Sequence, residues 1–309
     1  VTDQAAAQRV AQSRTQVGTR HTGLKTGFVR SETTTWDVDF VKLSPTQNMT
    51  LLVRSEHPVE EYGDIATALM SAGHVHAEQV GFLQTPSSSA AHAHLHMAAG
   101  EFCGNACMAL AALNASEQAP GREGRTQVIL EASGAEDFVQ CEVERRDTDY
   151  YCLLRMPLPR GVEAVAPAEF GQRPSTLVTY DDAVHVVVET ESIDAETKAR
   201  AERLTAQLAQ SSNAPLVAVM VYAPATGELA PLISLPSLRS LIWERSCGSG
   251  TASVGLHLAR TTRATVSANV IQPGGSMWVG ATHDRGRVTD LQIAGTVSIV
   301  AEGKAYVHV

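Results

Sequence analysis

From Trp36 the chain alternates apolar and polar residues through Trp36-Asp-Val-Asp-Phe-Val-Lys-Leu43, the period-2 pattern of a half-buried strand. Met49-Thr-Leu-Leu-Val53 is strand-like as well. Between Pro58 and Ser71 the period changes, and Val59, Tyr62, Ile65, Ala66 and Met70 recur at helical spacing. Residues 79–82, 126–132 and 150–156 read as further strands. A Pro- and Ala-rich stretch from Pro157 to Pro174 reads as a linker. Beyond it the pattern predicts a strand over 184–189, a helix over 195–210 and strands over 216–222, 266–271, 277–281 and 297–307. Residues 1–25 carry a short helical pattern at 5–13 with little apolar face and read as a loosely held extension.

Two segments fit neither period. Cys103-Gly-Asn-Ala-Cys-Met-Ala-Leu-Ala-Ala-Leu113 and Cys247-Gly-Ser-Gly-Thr-Ala-Ser-Val-Gly-Leu-His-Leu258 each open on Cys-Gly and run on in small and apolar residues. A helix apolar nearly all round is buried inside its domain. A predicted strand and a glycine corner follow each one, with Gly134 31 residues after Cys103 and Gly275 28 residues after Cys247. This degenerate repeat predicts two related halves of α+β type, each a sheet wrapped around a central helix.

A cysteine at a helix start sits where unpaired N–H groups and the helix dipole favour negative charge, which lowers a thiol pKa. The adjoining glycine lets a ligand approach the backbone, and the next N–H groups can cradle a carboxylate. Taken singly, such a cysteine is more often a buried structural residue. Two copies facing one cleft suit removal of a proton from one face of a carbon and delivery of another to the opposite face. One cysteine then starts as thiolate and the other as thiol.

At these residues the sequence resembles the diaminopimelate epimerase-like superfamily of cofactor-independent amino-acid racemases and epimerases. Glu101-Phe-Cys103-Gly-Asn105, Cys247-Gly-Ser-Gly-Thr251 and Gln272-Pro-Gly-Gly275 carry the likeness. Gln47-Asn48-Met-Thr50, Ala77-Glu78-Gln-Val-Gly-Phe82, Gly100-Glu-Phe-Cys-Gly-Asn-Ala106 and Trp243-Glu-Arg-Ser-Cys-Gly-Ser-Gly-Thr251 look most like the histidine racemases of staphylopine-type metallophore biosynthesis. The resemblance implies two pseudo-symmetric domains, each a β-barrel-like sheet around a central helix, with no metal and no pyridoxal phosphate. Boundaries follow at 1–25 (extension), 26–160 and 161–309, the last strand returning to the N-terminal domain. It implies Cys103 and Cys247 as the acid/base pair. It brings Asn48, Glu78, Gly104, Asn105, His185, Glu244, Arg245, Gly248 and Ser249 to the substrate. Only Ser246 separates Glu244-Arg245 from Cys247, where diaminopimelate epimerases carry a longer segment, which speaks against recognition of a distal charged end. Arg245-Ser-Cys247-Gly echoes proline racemases, so a proline-like substrate stays open, with a diamino acid as the further alternative.

The 309 residues carry 33 Asp+Glu against 24 Lys+Arg, a formal net charge of −9. That balance argues against nucleic acid or an anionic membrane surface as partner, since both need a basic face. No apolar run approaches the ~18 residues of a membrane span. Five cysteines in so long a chain are not a disulfide framework, and no secretory leader pattern opens the sequence, which together point to the cytoplasm. The expected partner is a small amino-acid substrate, with a homodimer left open. Two readings from other classes remain. His92-Ala-His94-Leu-His96 places three imidazoles on one strand face, as a metal-binding or redox protein would use them. A non-catalytic amino-acid binder would keep the same fold.

Overall fold

The computed structural model describes residues 35–118 and 124–308. The extension expected at 1–25 lies outside the described residues. In chain order the strands of the first half are β1 (Thr35–Pro45), β2 (Thr50–Val53), β3 (Gln79–Gln84), β4 (Ala93–Met97), β5 (Arg125–Ala132), β6 (Val139–Arg146) and β7 (Asp149–Arg155). Helix α1 (Tyr62–Met70) lies between β2 and β3, and α2 (Gly104–Ser116) between β4 and β5. Then come β8 (Gly161–Val165), β9 (Ser175–Thr179), β10 (Ala183–Glu189), α3 (Ala195–Ser211), β11 (Leu216–Ala223), β12 (Glu228–Leu235) and β13 (Ser240–Trp243). The chain closes with α4 (Gly248–Thr262), β14 (Val266–Gln272), β15 (Gly275–Asp284) and the 22-residue β16 (Arg287–His308). This is a sheet-rich α+β fold with four α-helices among the described residues.

The strands join in one sheet. From β1 to β7 neighbours in sequence pair in turn, parallel for β2–β3 and β4–β5 and antiparallel for the rest. Strand β16 is long enough to pair with β7 through Gln292–Ser298 and with β1 through Val297–His308, which closes a ring. On its other side the order runs β16-β15-β14-β12-β11-β10-β9-β8, parallel for β12–β14 and β10–β11, with β13 added to β12. The segment read as a linker at 157–174 is therefore corrected: it contains β8, held in register against β9. Its prolines and small residues hide a short edge strand from any periodicity argument.

Helices α2 and α4 fill the interior, as their all-round apolar faces require. Ten consecutive α2 residues from Gly104 to Leu113 are buried, and α4 buries Gly250 through His257. Both belong to the largest continuous apolar core, which runs through both halves of the sheet. The amphipathic helices instead cover outer faces: α1 through Tyr62, Ile65, Ala66 and Leu69, and α3 through Ala201 and Leu204. Among the described residues no helix is long and apolar enough to cross a membrane.

Candidate active site

Cys103 and Cys247 occupy the same structural position. Each is the N-cap of its buried helix in extended conformation, and each sulfur accepts an N–H from three residues on: Ala106 at 3.3 Å and Gly250 at 3.3 Å. The helix starts are pressed together. A Cβ on Gly248 would stand 3.1 Å from Asn105 Oδ1, 3.3 Å from Asn105 N and 2.9 Å from Ile293, so this approach admits only glycine without displacement. Asn105 Nδ2 and Asn48 Nδ2 both donate to the Ser246 carbonyl, at 2.9 and 2.8 Å, and fix the backbone that leads into Cys247. Gln272 Oε1 accepts the Cys247 N–H at 2.7 Å, so the Gln-Pro-Gly-Gly corner acts as a brace.

Both cysteines, with Gly104, Asn105, Gly248 and Ser249, line one cleft. Its acidic wall is Glu78, Glu101 and Glu244, beside Gln79; its apolar wall includes Leu216, Ile233, Leu235 and Ile242. No Lys, Arg or His among the described residues lines it. Glu78 spans the cleft's edge by accepting the N–H groups of Met49 (3.4 Å) and Arg245 (2.9 Å). Burial raises its pKa, against those two N–H groups. Glu244 Oε1 accepts from Gln79, while Oε2 is buried with no partner among the described residues. Burial brings the Glu244 carboxyl up to about 7, and Glu101 likewise to about 7. The cleft thus offers carboxylates, and by position the free N–H groups of two helix starts, but no side-chain cation.

The thiols do not behave as the isolated helix-start argument expects. Burial pushes both well above the ordinary cysteine value, and the neighbouring Glu244 carboxylate pushes each further. The N–H groups of Ala106 and Gly250 oppose this and lose. Dehydration of a thiolate in a closed cleft outweighs a pair of aligned dipoles. Cys107, Cys141 and Cys152 are fully buried, and all five cysteines are free.

Three residues expected at the substrate lie off this cleft. Asn48 is wholly buried behind Ser246. Arg245 turns its guanidinium to Gln47 Oε1 and joins the site only through its backbone N–H. His185 lines a smaller neighbouring cavity with Tyr180, Asp182 and Ser249. Its Nδ1 pairs with Ser253 Oγ at 2.8 Å, and its Nε2 is buried without a partner among the described residues. Conversely, Gln79 and Glu101 lie in the cleft, although each was legible only as part of a longer motif. Asp182 carries a further long-range link, its carboxylate accepting the Phe102 N–H just before Cys103. The three histidines at and just before β4 go separate ways: His92 accepts from Ile129 N–H, His94 faces Glu131 at 3.5 Å, and His96 pairs with the Met97 carbonyl. Among the described residues no three His, Cys, Asp or Glu side chains converge on a metal position.

Burial drives the His185 pKa from 6.5 down to about 4. The unfolded chain takes up that proton below 6.5 and the folded chain only near 4, so stability falls as pH drops through this window, by on the order of 3 kcal/mol. Glu101 and Glu244 act in the opposite sense. The folded chain keeps their protons up to about 7 and the unfolded chain releases them near 4.5, so stability falls as pH rises between those values. Calorimetry of His185→Gln is expected to show a shallower loss of melting temperature on acidification from pH 6.5 to 5. An unchanged slope would show that the ring titrates as freely folded as unfolded.

The family model described as "Histidine racemase CntK N-terminal domain" matches residues 37–306. A histidine racemase of Staphylococcus aureus is 35% identical over 276 residues, covering 88% of this chain and 98% of that protein. One from Fusobacterium nucleatum is 25% identical over 271 residues, covering 87% and 97%. Among solved structures, a hydroxyproline epimerase from Agrobacterium vitis with bound trans-4-hydroxy-L-proline shares the fold at TM-score 0.62 and 13% identity, covering 87% of this chain and 92% of that one. A predicted epimerase from Pseudomonas aeruginosa does so at 0.62 and 12%, covering 86% and 98%. With the family model spanning nearly every described residue and the staphylococcal relative matched almost end to end, the chain belongs to the histidine racemase family.

Proposed function

We propose that the chain racemises histidine by a two-base mechanism without metal or organic cofactor, with Cys103 and Cys247 on opposite faces of the α-carbon. The observation that carries this reading is the shared cleft, in which two Cys-Gly helix starts meet. The substrate carboxylate goes to the N–H groups at those starts, where helix dipoles favour an anion. Its ammonium and ring N–H groups go to Glu78, Glu101 and Glu244, which meet no side-chain cation in the cleft among the described residues. These positive groups replace lost solvation and bring the thiols down to where one can ionise. The thiolate then takes the α-proton while the opposing thiol gives one up, and a closed cleft keeps water from the carbanion-like transition state.

The cleft favours histidine over its rivals. A second, distal carboxylate, as in a diamino diacid, needs a cation that Arg245 does not bring, since it faces Gln47. Proline presents its ammonium alone to a wall of three carboxylates, whereas histidine adds a ring N–H that a second carboxylate can accept. We further propose that the chain consists of two related halves, meeting near residue 160. Supporting this, the strands from β1 to β7 and from β9 through β12 and β14 to β16 pair with the same succession of senses: antiparallel, parallel, antiparallel, parallel, antiparallel, antiparallel. The buried helix follows the same step of that succession in both.

The test is incubation of chelator-treated protein with single enantiomers of histidine, proline and diaminopimelate, read by chiral chromatography. Histidine is expected to reach a 1:1 mixture from either side, at rates unchanged by added metal. Turnover of proline or diaminopimelate alone, or dependence on added metal, would overturn the reading.

A further inference from the structure

Gln79 stands between the cysteine of one helix start and the carboxylate beside the other. Its Oε1 accepts from Cys103 Sγ at 2.7 Å, and its Nε2 donates to Glu244 Oε1 at 2.8 Å. Glu244 in turn lies beside Cys247, close enough to disfavour its thiolate. An ionised carboxylate only accepts hydrogen bonds, so it must face the amide nitrogen. The amide oxygen is then left toward Cys103, which must donate and is therefore a thiol. If Glu244 carries a proton, the amide can turn over, accept from the carboxylic acid and offer its N–H to a Cys103 thiolate. One amide cannot serve both arrangements at once.

We propose that Gln79 is a positioning residue that links the proton on Cys103 to the proton on Glu244. In one state Cys103 is a thiol and Glu244 a carboxylate. In the other the S–H bond of Cys103 is broken, an O–H bond is formed on Glu244, and Gln79 has turned its amide. No electrons are gained or lost, the total charge of the pair is unchanged, and the proton crosses through water in the cleft before it closes for the chemical step. Cys247 stays a thiol in both states. The second state is one thiolate opposite one thiol, which a two-base racemase needs, reached without releasing a proton from the site. The linkage follows from the hydrogen bonds alone; its catalytic use rests on the racemase reading.

The test is a double-mutant cycle read on Glu244 rather than on turnover. Carboxyl ¹³C NMR follows its titration, assigned by difference against Glu244→Gln. With Gln79 present, Cys103→Ala frees the amide to serve the protonated acid, so the Glu244 midpoint rises by about half a pH unit or more. In the Gln79→Leu background Cys103→Ala moves it by much less. Equal shifts in both backgrounds, or none with Gln79 present, would overturn the linkage. Should Gln79→Leu fail to fold, Gln79→Met, unbranched and of similar length, serves as the same background. Racemisation is measured in parallel. Linkage in a chain that does not racemise histidine would leave this inference standing and sink the function, and the converse result would do the reverse.

Discussion

Cys103→Ser and Cys247→Ser each lower histidine racemisation by at least about a thousandfold while the fold survives. Survival is expected because each sulfur is an N-cap acceptor, for the N–H of Ala106 and of Gly250. Serine is among the best N-cap residues, so the helix starts stay pinned and thermal melts move little. The chemistry does not survive, because a hydroxyl is far too weak an acid and base near neutral pH to replace a thiol. The loss should be one-sided. Each variant keeps one thiol and so can still exchange the α-hydrogen of the enantiomer presented to it, without inverting that carbon. The two variants are therefore expected to prefer opposite enantiomers for exchange. Either variant racemising near the wild-type rate would remove that cysteine from the mechanism.

Gly134→Ala should damage the site through the backbone. Gly134 has φ +70°, and a Cβ there would stand 2.2 Å from Asp182 Oδ2, 2.3 Å from Phe102 N and 2.9 Å from the Glu101 carbonyl carbon. Two of these atoms are main chain immediately before Cys103, and the third is the carboxylate that accepts the Phe102 N–H. Left-handed conformation costs alanine about 1–2 kcal/mol, and the collision adds a similar amount, so a loss of roughly 3 kcal/mol is expected. Moving Cys103 by even about 1 Å can remove a further hundredfold in rate. Gly100→Ala is the control. It has φ +78° with nothing within 4 Å of the added Cβ, so it bears only the conformational cost. Denaturant melts and rates of the two variants should differ sharply; equal effects would show that the Asp182–Phe102 contact carries nothing.

The features legible in the sequence are those that depend on local pattern. The two all-round apolar runs became the buried helices α2 and α4, and the Cys-Gly pairs became their N-caps, because burial and capping follow from composition and spacing. Strands with clear alternation, such as β1, were also within reach. Strand β12 was not, since its long buried run contains Pro231 and shows no period. Gln79 was hidden for another reason: its partners Cys103 and Glu244 lie 24 and 165 residues away. The direction of the thiol pKa values depends on how far the cleft excludes water, which no motif reports. Asn48 braces the backbone behind the cleft and His185 lines the neighbouring cavity, a distinction set by side-chain direction in the folded chain.

Two thiols acting on the two faces of one carbon leave a deuterium signature that a single base does not. It is read by following deuterium during the first few per cent of conversion of L-histidine in D₂O. A proton taken by one cysteine is not the proton delivered by the other. Newly formed D-histidine is therefore expected to carry deuterium at Cα in nearly every molecule, while unconverted L-histidine carries almost none. The same must hold in mirror image starting from D-histidine. Product that retains the original hydrogen would show a single base acting on both faces, and would contradict the two-thiol account.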